Sequence, residues 1–235
     1  MHLFYNPNIQ SDIFELDEKE SKHAIRVLRM VNGDPVILVD GKGGWYEARI
    51  IDDHPKHCKL QIESHTPDYR PLPYSLHLAV APTKNLDRFE WFLEKATEIG
   101  ITDVTPLICM RSERKVVKLE RLEKIIVTAM KQSLKAFKPV LHNPSGLESF
   151  LRVSRKGTLG IAHCYPRERR GIGELELSGD YTMLVGPEGD FTEGEISKAI
   201  EVGYSPFHLG DSRLRTETAA VVITSSISLL HQQKI

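Results

Sequence analysis

The sequence predicts an α/β protein in which a parallel-sheet domain follows a small, mostly β domain. From about residue 74 onward, short apolar runs alternate with amphipathic stretches, the signature of parallel strands joined by crossover helices. Before that point, short strands are separated by glycine turns. Between the two patterns, Thr66-Pro67-Asp68-Tyr69-Arg70-Pro71-Leu72-Pro73 places three prolines in eight residues, a linker composition. The expected domains are residues 1–70 and 74–235.

The elements follow in order. A short helix is expected over residues 19–29, with Asp17 as its cap. Pro35-Val36-Ile37-Leu38-Val39-Asp40 and Trp45-Tyr46-Glu47-Ala48-Arg49-Ile50-Ile51 flank Gly41-Lys42-Gly43-Gly44, a hairpin. Lys59-Leu60-Gln61-Ile62-Glu63 alternates apolar and polar residues and adds a strand, so that a small barrel is expected. Beyond the linker, strands are expected at 75–81, 103–108, 158–164, 181–185 and 205–209. Phe89, Phe92, Leu93, Ala96 and Ile99 recur at helical spacing over residues 87–99, stopped by Gly100. A second helix is expected at 119–136, and Thr192-Glu193-Gly194-Glu195 opens a third with a capping box. The last helix, from Glu217 to about His231, is apolar on every side, which marks it as buried.

Composition excludes several classes. No run approaches the roughly 20 apolar residues of a membrane span, and the amino terminus lacks a signal-peptide pattern. Cys58, Cys109 and Cys164 are odd in number and far apart, which argues against a disulfide framework and for a cytoplasmic protein. His54, His57 and Cys58 have no partner set to complete a zinc site, so no metal is expected. There is neither a phosphate-loop motif nor a dinucleotide-binding fingerprint. Net charge is −1, yet residues 111–138 hold nine basic residues against three acidic ones. Further clusters are Arg167, Arg169 and Arg170, and Arg213 with Arg215. Such clusters form either a phosphate-binding footprint or a solvated helix face.

Two linked turns carry the chemistry. Gly186-Pro187-Glu188-Gly189 and Leu209-Gly210-Asp211-Ser212-Arg213-Leu214-Arg215-Thr216-Glu217-Thr218-Ala219 each follow an apolar strand and lead into a helix. Glycine lets backbone amides approach a ligand, and the helix behind adds free N–H groups. The spacing suggests a pocket at the carboxyl ends of adjacent parallel strands.

These turns resemble those of the RsmE family, bacterial methyltransferases that modify a uridine N3 of 16S ribosomal RNA. His23-Ala24-Ile25-Arg26-Val27-Leu28-Arg29, Lys95-Ala96-Thr97-Glu98-Ile99-Gly100-Ile101 with Pro106, Ser112-Glu113-Arg114 and Gln132-Ser133 resemble further family elements, in order along the chain. The resemblance implies a SPOUT-type trefoil-knotted parallel-sheet domain preceded by a PUA-like β-barrel domain, working as a homodimer. It also implies S-adenosyl-L-methionine as cofactor and the small ribosomal subunit as partner. Cofactor binding then falls to Ala162, His163, Gly186, Pro187, Glu188, Gly189, Leu209, Gly210, Leu214, Thr218 and Ala219. Asp190 stands where the family usually has a second glycine.

Uracil N3 is a poor nucleophile until it loses its proton, so a group must stabilise the forming anion or accept that proton. Arg215 is expected to stabilise charge on the base or grip a phosphate. Glu217 is expected either to orient Arg215 through a bidentate pair or to take the proton. His23, Arg26 and Arg29, on one helical face, are expected to touch RNA, with Arg114, Gln132 and Lys135. Lysine replaces the family's usual arginine at 135 and lacks its planar fork. Two other readings stay open: a knotted methyltransferase acting on ribose 2′-O or tRNA, and a non-enzymatic ribosome-assembly factor.

Overall fold

The computed structural model describes residues 2–166 and 168–232. Arg167, one of the clustered arginines, lies outside them, as do Met1 and residues 233–235. The chain divides into two units: Met1–Pro71 with Met130–Lys138, and Leu72–Ala129 with Pro139–Ile235.

In the first unit, strands β1 (Leu3–Tyr5), β2 (Ile13–Glu15), β3 (Pro35–Val39), β4 (Trp45–Asp52) and β5 (Lys59–Thr66) form one sheet in the order β1-β3-β4-β5-β2. Its ends, β1 and β2, do not pair with each other, so the expected barrel is an open half-barrel. Asp40 makes the β3–β4 turn. Its Oδ1 accepts from the amides of Lys42 and Gly44 at 2.7 and 2.9 Å, the local bonding that suits aspartate to turns. Phe4, Leu38, Ile50 and Leu60 fill the core. A second cluster joins Ile37, Val39 and Trp45 to Met130 and Ala136, which explains why residues 130–138 belong to this unit.

Helix α1 (Glu18–Lys22) starts as expected, with Asp17 accepting from the Glu20 amide at 2.7 Å. It then widens into a π-helical turn over His23–Val27, in which the Leu28 amide reaches the His23 carbonyl at 2.9 Å. Arg29 leaves the helix at φ 57°. His23, Arg26 and Arg29 are all exposed, but the i→i+5 winding takes them off the single α-helical face that their spacing suggested.

The second unit contains β6 (Ser75–Val80), α2 (Leu86–Ile99), β7 (Asp103–Ile108), α3 (Leu119–Gln132, whose end from Met130 belongs to the first unit), β8 (Val140–Leu141), β9 (Ser145–Gly146), α4 (Leu147–Leu151), β10 (Thr158–Ala162), β11 (Arg170–Gly171), β12 (Asp180–Val185), α5 (Glu193–Glu201), β13 (Ser205–His208) and α6 (Thr216–Gln232). The sheet order is β11-β13-β10-β12-β6-β7-β8, with β9 also on β7, and every pairing is parallel. Helix α3 stops at Gln132, short of the expected residue 136, and Leu134 beyond it takes φ 55°.

Both sheet faces are covered, as a parallel sheet requires. Leu76, Leu78, Val80, Met183 and Val185 point to one side, where they meet Phe89, Phe92 and Leu93 of α2 and Ile223 and Ile227 of α6. Ala79, Ala81 and Leu184 point to the other, against Phe150 of α4 and Ile196 and Ala199 of α5. Burial of each large apolar side chain contributes about 1.5–3 kcal/mol. Thr192 and Glu195 close the expected capping box at the start of α5. Among the described residues, no helix is long and apolar enough to cross a membrane.

Candidate functional site

The two glycine turns do not sit on adjacent strands. They follow β12 and β13, and β10 runs between these in the sheet. The chain therefore reverses direction around β10, making the switch point at which open α/β sheets bind ligands. A cavity of about 300 Å³ opens at these three strand ends, a size suited to a small molecule. Of the expected cofactor residues, Ala162, His163, Gly186, Pro187, Glu188, Leu209, Gly210, Leu214 and Ala219 line it. Gly189 and Thr218 do not. Val185, Phe207, Leu209, Leu214 and Ala219 make an apolar floor, while Arg169, Arg213 and Arg215 belong to the same wall. Sequence reasoning missed Val185, Phe207, His208 and Thr216: the first three end β12 and β13, and Thr216 opens α6.

The Gly-Pro-Glu-Gly turn is braced from four sides. Thr216, at the start of α6, donates its hydroxyl to the Gly186 carbonyl at 3.0 Å. A Cβ on Gly186 would stand 3.0 Å from the Phe191 ring and 3.2 Å from its amide nitrogen, so glycine is needed for close packing there. The Lys84 amide donates to Glu188 Oε1 at 2.8 Å. Arg111 Nη1 donates to the Gly189 carbonyl at 2.9 Å and to the Tyr165 hydroxyl at 3.1 Å. Gly189 thus supports the turn from behind instead of facing the cavity.

Asp190 performs two tasks. Its backbone takes φ 63°, a left-handed conformation that aspartate tolerates better than most residues. Its carboxylate accepts from the Phe191 amide and from the Cys164 amide, both at 2.8 Å, tying the end of β10 to the turn after β12. Asp190→Gly, which keeps the backbone and removes both bonds, is expected to cost about 1–2 kcal/mol. Asp190→Ala adds about 1 kcal/mol of backbone strain. Urea unfolding of the two variants checks the order; an alanine variant as stable as the glycine variant contradicts it.

Arg215 is exposed and lines the cavity. Glu217 does not pair with it. The Glu217 side chain is 8% exposed, its Oε1 lies 3.8 Å from Nε of Arg88 on α2, and its Oε2 is buried without a hydrogen-bond partner. The first turn of α6 explains this: Arg215 precedes the helix and turns outward, whereas Glu217 faces the α2 side. Glu217 therefore neither pairs with Arg215 nor lines the cavity.

The residues expected to touch RNA fall in both units. His23, Arg26, Arg29, Gln132 and Lys135 belong to the first; Gln132 is exposed, whereas Lys135 is half-buried and burial lowers its ammonium pKa. Arg114, in the second unit, donates from Nε and Nη2 to the Lys84 carbonyl at 3.1 and 2.9 Å, bracing the loop that holds Glu188. Much of the basic run 111–138 is similarly engaged: Arg121 pairs with Glu90, and Lys131 with Glu20 at 2.9 Å. Lys115, Lys118 and Lys124 remain exposed.

Cys58 is buried and its thiol is pushed up to about 11, by burial first and then by Asp52 and Asp53. Burial raises the Cys109 thiol as well. Cys164 is exposed and lines the cavity. Thiolates, not thiols, react, so a maleimide should label Cys164 alone in the native protein, as peptide mass spectrometry would show. Comparable labelling of Cys58 or Cys109 would contradict this assignment. The rings of His54 and His57 lie outside on the surface while Cys58 is buried, so these three do not converge.

Fold and site together define an RNA-modifying enzyme class. The RNA methyltransferase domain family matches residues 70–228, and the RNA methyltransferase PUA domain family matches residues 16–63. Ribosomal RNA small subunit methyltransferase E of Synechocystis is 32% identical over 87% of this chain and 69% of its own length. The Rickettsia conorii protein of the same name is 30% identical over 92% and 89%. The chain belongs to the ribosomal RNA small subunit methyltransferase E family. Among solved structures, a probable rRNA-methyltransferase from Porphyromonas gingivalis superposes with a TM-score of 0.93 at 38% identity, covering all of both chains. The Neisseria gonorrhoeae family member bound to S-adenosyl methionine superposes at 0.89, with 27% identity over 98% of each chain.

Proposed function

We propose that this chain transfers the methyl group of S-adenosylmethionine to N3 of a uridine in 16S ribosomal RNA of the small subunit. The observation that carries this reading is the convergence of two glycine turns and the start of α6 on one cavity, in a chain of this family. S-adenosylmethionine supplies an electrophilic methyl group, and the remaining tasks fall to the chain. The apolar floor suits a purine ring, and the amides of the glycine turns suit its polar edges and the ribose. Holding both partners in a fixed approach is the larger part of the catalytic task.

Arg215 stabilises the anion that forms on the uracil when N3 loses its proton. Glu188 and Asp190 accept backbone amides, which ties both carboxylates to the turn; the N3 proton passes to solvent as Arg215 stabilises the anion left behind. Arg169 and Arg213 on the same wall favour the phosphates flanking a splayed nucleotide. Residues 1–70 act as the PUA-like RNA-binding domain, offering His23, Arg26 and Arg29, with Gln132 and Lys135 from the segment that joins that unit. Residues 74–235 act as the SPOUT-type knotted catalytic domain. The protein works in the cytoplasm as a homodimer. In support of the dimer, α6 leaves Leu229 exposed and Val221, Val222 and Leu230 only half-buried within one chain.

The test is methyl transfer from labelled cofactor to small ribosomal subunits lacking the modification, with the product nucleoside identified by mass spectrometry. N3-methyluridine is expected. A 2′-O-methylated nucleoside, or labelling of tRNA instead, overturns the specificity. Absence of both transfer and cofactor binding overturns the enzymatic reading.

A further inference from the structure

Away from the cavity, three strands bring together residues far apart in sequence. His77 lies in β6, Asp103 opens β7 and His142 directly follows β8. The register pairs His77 with Asp103 across β6 and β7. His142 is held in place by its amide, which donates to the Val104 carbonyl at 2.8 Å. Each residue offers one ligand atom, and these atoms lie within 4.8 Å of one another.

We propose that His77, Asp103 and His142 form a binding site for a divalent transition-metal ion, best suited to Zn²⁺, that clamps β6, β7 and β8 together. Two imidazoles and one carboxylate are a common ligand set for zinc, with a fourth position left for water. Tetrahedral coordination at about 2.0–2.1 Å places ligand atoms roughly 3.3 Å apart. The His142 Nε2···Asp103 Oδ1 distance of 2.7 Å must therefore open slightly while the third ligand closes in, movements within reach of side-chain rotation. The rings of His77 and His142 are already stacked, with centroids 4.9 Å apart.

The surroundings favour the site. Thr105 Oγ1 lies 2.8 Å from His77 Nε2, and Phe150 packs edge-on against the His77 ring; such neighbours fix ligand orientation. The side chains of His142 and Asp103 are 42% and 28% exposed, so an ion has a path in. Arg155 also acts on the cluster electrostatically. It donates to the carbonyls of Phe150 and Val153 at 2.6 and 2.8 Å and lies over the Phe150 ring. The cluster sits near the amino ends of the strands, on the face covered by α4 and α5, whereas the cavity opens at their carboxyl ends. With three protein ligands the site keeps a fourth position open to water, and it lies apart from the methyl-transfer cavity.

The test uses the full chain after removal of metal with a chelator. Calorimetric titration with Zn²⁺ is expected to show one ion per chain, and Co²⁺ to develop the visible bands of a tetrahedral site. Melting temperature should rise on Zn²⁺ addition. His142→Ala and His77→Ala should each weaken binding at least about a hundredfold and abolish the thermal shift, whereas Cys164→Ser and the double variant His54→Ala/His57→Ala should retain both. Native cofactor affinity in His142→Ala shows that this variant is folded. If it is not folded, Asp103→Asn serves in its place. No stoichiometric uptake by the wild type, or equal uptake by the ligand variants, overturns the proposal.

Discussion

Gly210→Val is expected to weaken S-adenosylmethionine binding about a hundredfold while the protein stays folded. The reason is conformational. Gly210 takes φ +106°, and a Cβ built on it would meet nothing within 4 Å, so there is room for the side chain. Valine, however, rarely adopts that backbone angle, and holding it there costs about 2–3 kcal/mol. The turn relaxes to another shape instead, which breaks the bond from the Gly210 amide to His208 Nδ1 and moves Leu209 and Leu214 off the apolar floor. Because Gly210 lies in an exposed loop, with the buried core elsewhere, the thermal midpoint should change by only a few degrees. Calorimetry of cofactor binding, with a melting curve as control, distinguishes the two effects. Gly210→Ala meets nearly the same strain with a smaller side chain and should lose most of the affinity too. Unchanged affinity in both variants would show that the turn tolerates another conformation and that it does not shape the site.

Much of the second unit was legible because its signals are local. Asp103–Ile108 is an uninterrupted strand run, Phe89, Phe92, Leu93 and Ala96 mark the buried stripe of α2, and the Thr192–Glu195 box places the start of α5. Elements defined by their partners were not legible. Strands β8, β9 and β11 have two residues each and exist only because a neighbouring strand pairs with them. The π-helical turn at His23–Val27 has no compositional mark that separates it from an α-helix.

The cavity follows the same division. The glycine turns identify themselves, because only certain residues tolerate their geometry. Strand order does not, and so the placement of β10 between β12 and β13 came only from the fold. Asp190 was legible as a departure, but its bond to Cys164 joins residues 26 apart and could not be inferred. The turning of Glu217 toward Arg88 is another long-range choice: sequence proximity suggested an Arg215–Glu217 pair, but helical geometry puts the two on different faces. His77, Asp103 and His142 likewise converge through register alone.

Arg215→Ala is expected to lower the rate of methyl transfer about a hundredfold to a thousandfold, the range found when one donor to a developing anion is removed, with cofactor affinity changed by less than about threefold. The asymmetry follows from position. Arg215 lies on the cavity wall beside the apolar floor, exposed and without the Glu217 partner that would hold it in a structural role. Its guanidinium therefore interacts with charge that develops on the base as its proton leaves, and weakly with a cofactor that carries its own positive sulfonium. Arg215→Lys keeps a cation but loses the planar fork, and should recover only part of the rate. Burst and steady-state measurements with saturating cofactor, paired with calorimetry, separate the terms. If transfer and cofactor affinity fell together, Arg215 would be a cofactor ligand, and anion stabilisation would have to come from Arg169 or Arg213 on the same wall. If rate fell only at low RNA concentration, and less steeply as salt rose, its contribution would be a phosphate contact, since counterion release makes such contacts salt-dependent. A loss that persists at saturating RNA and is insensitive to salt assigns Arg215 to the reacting base.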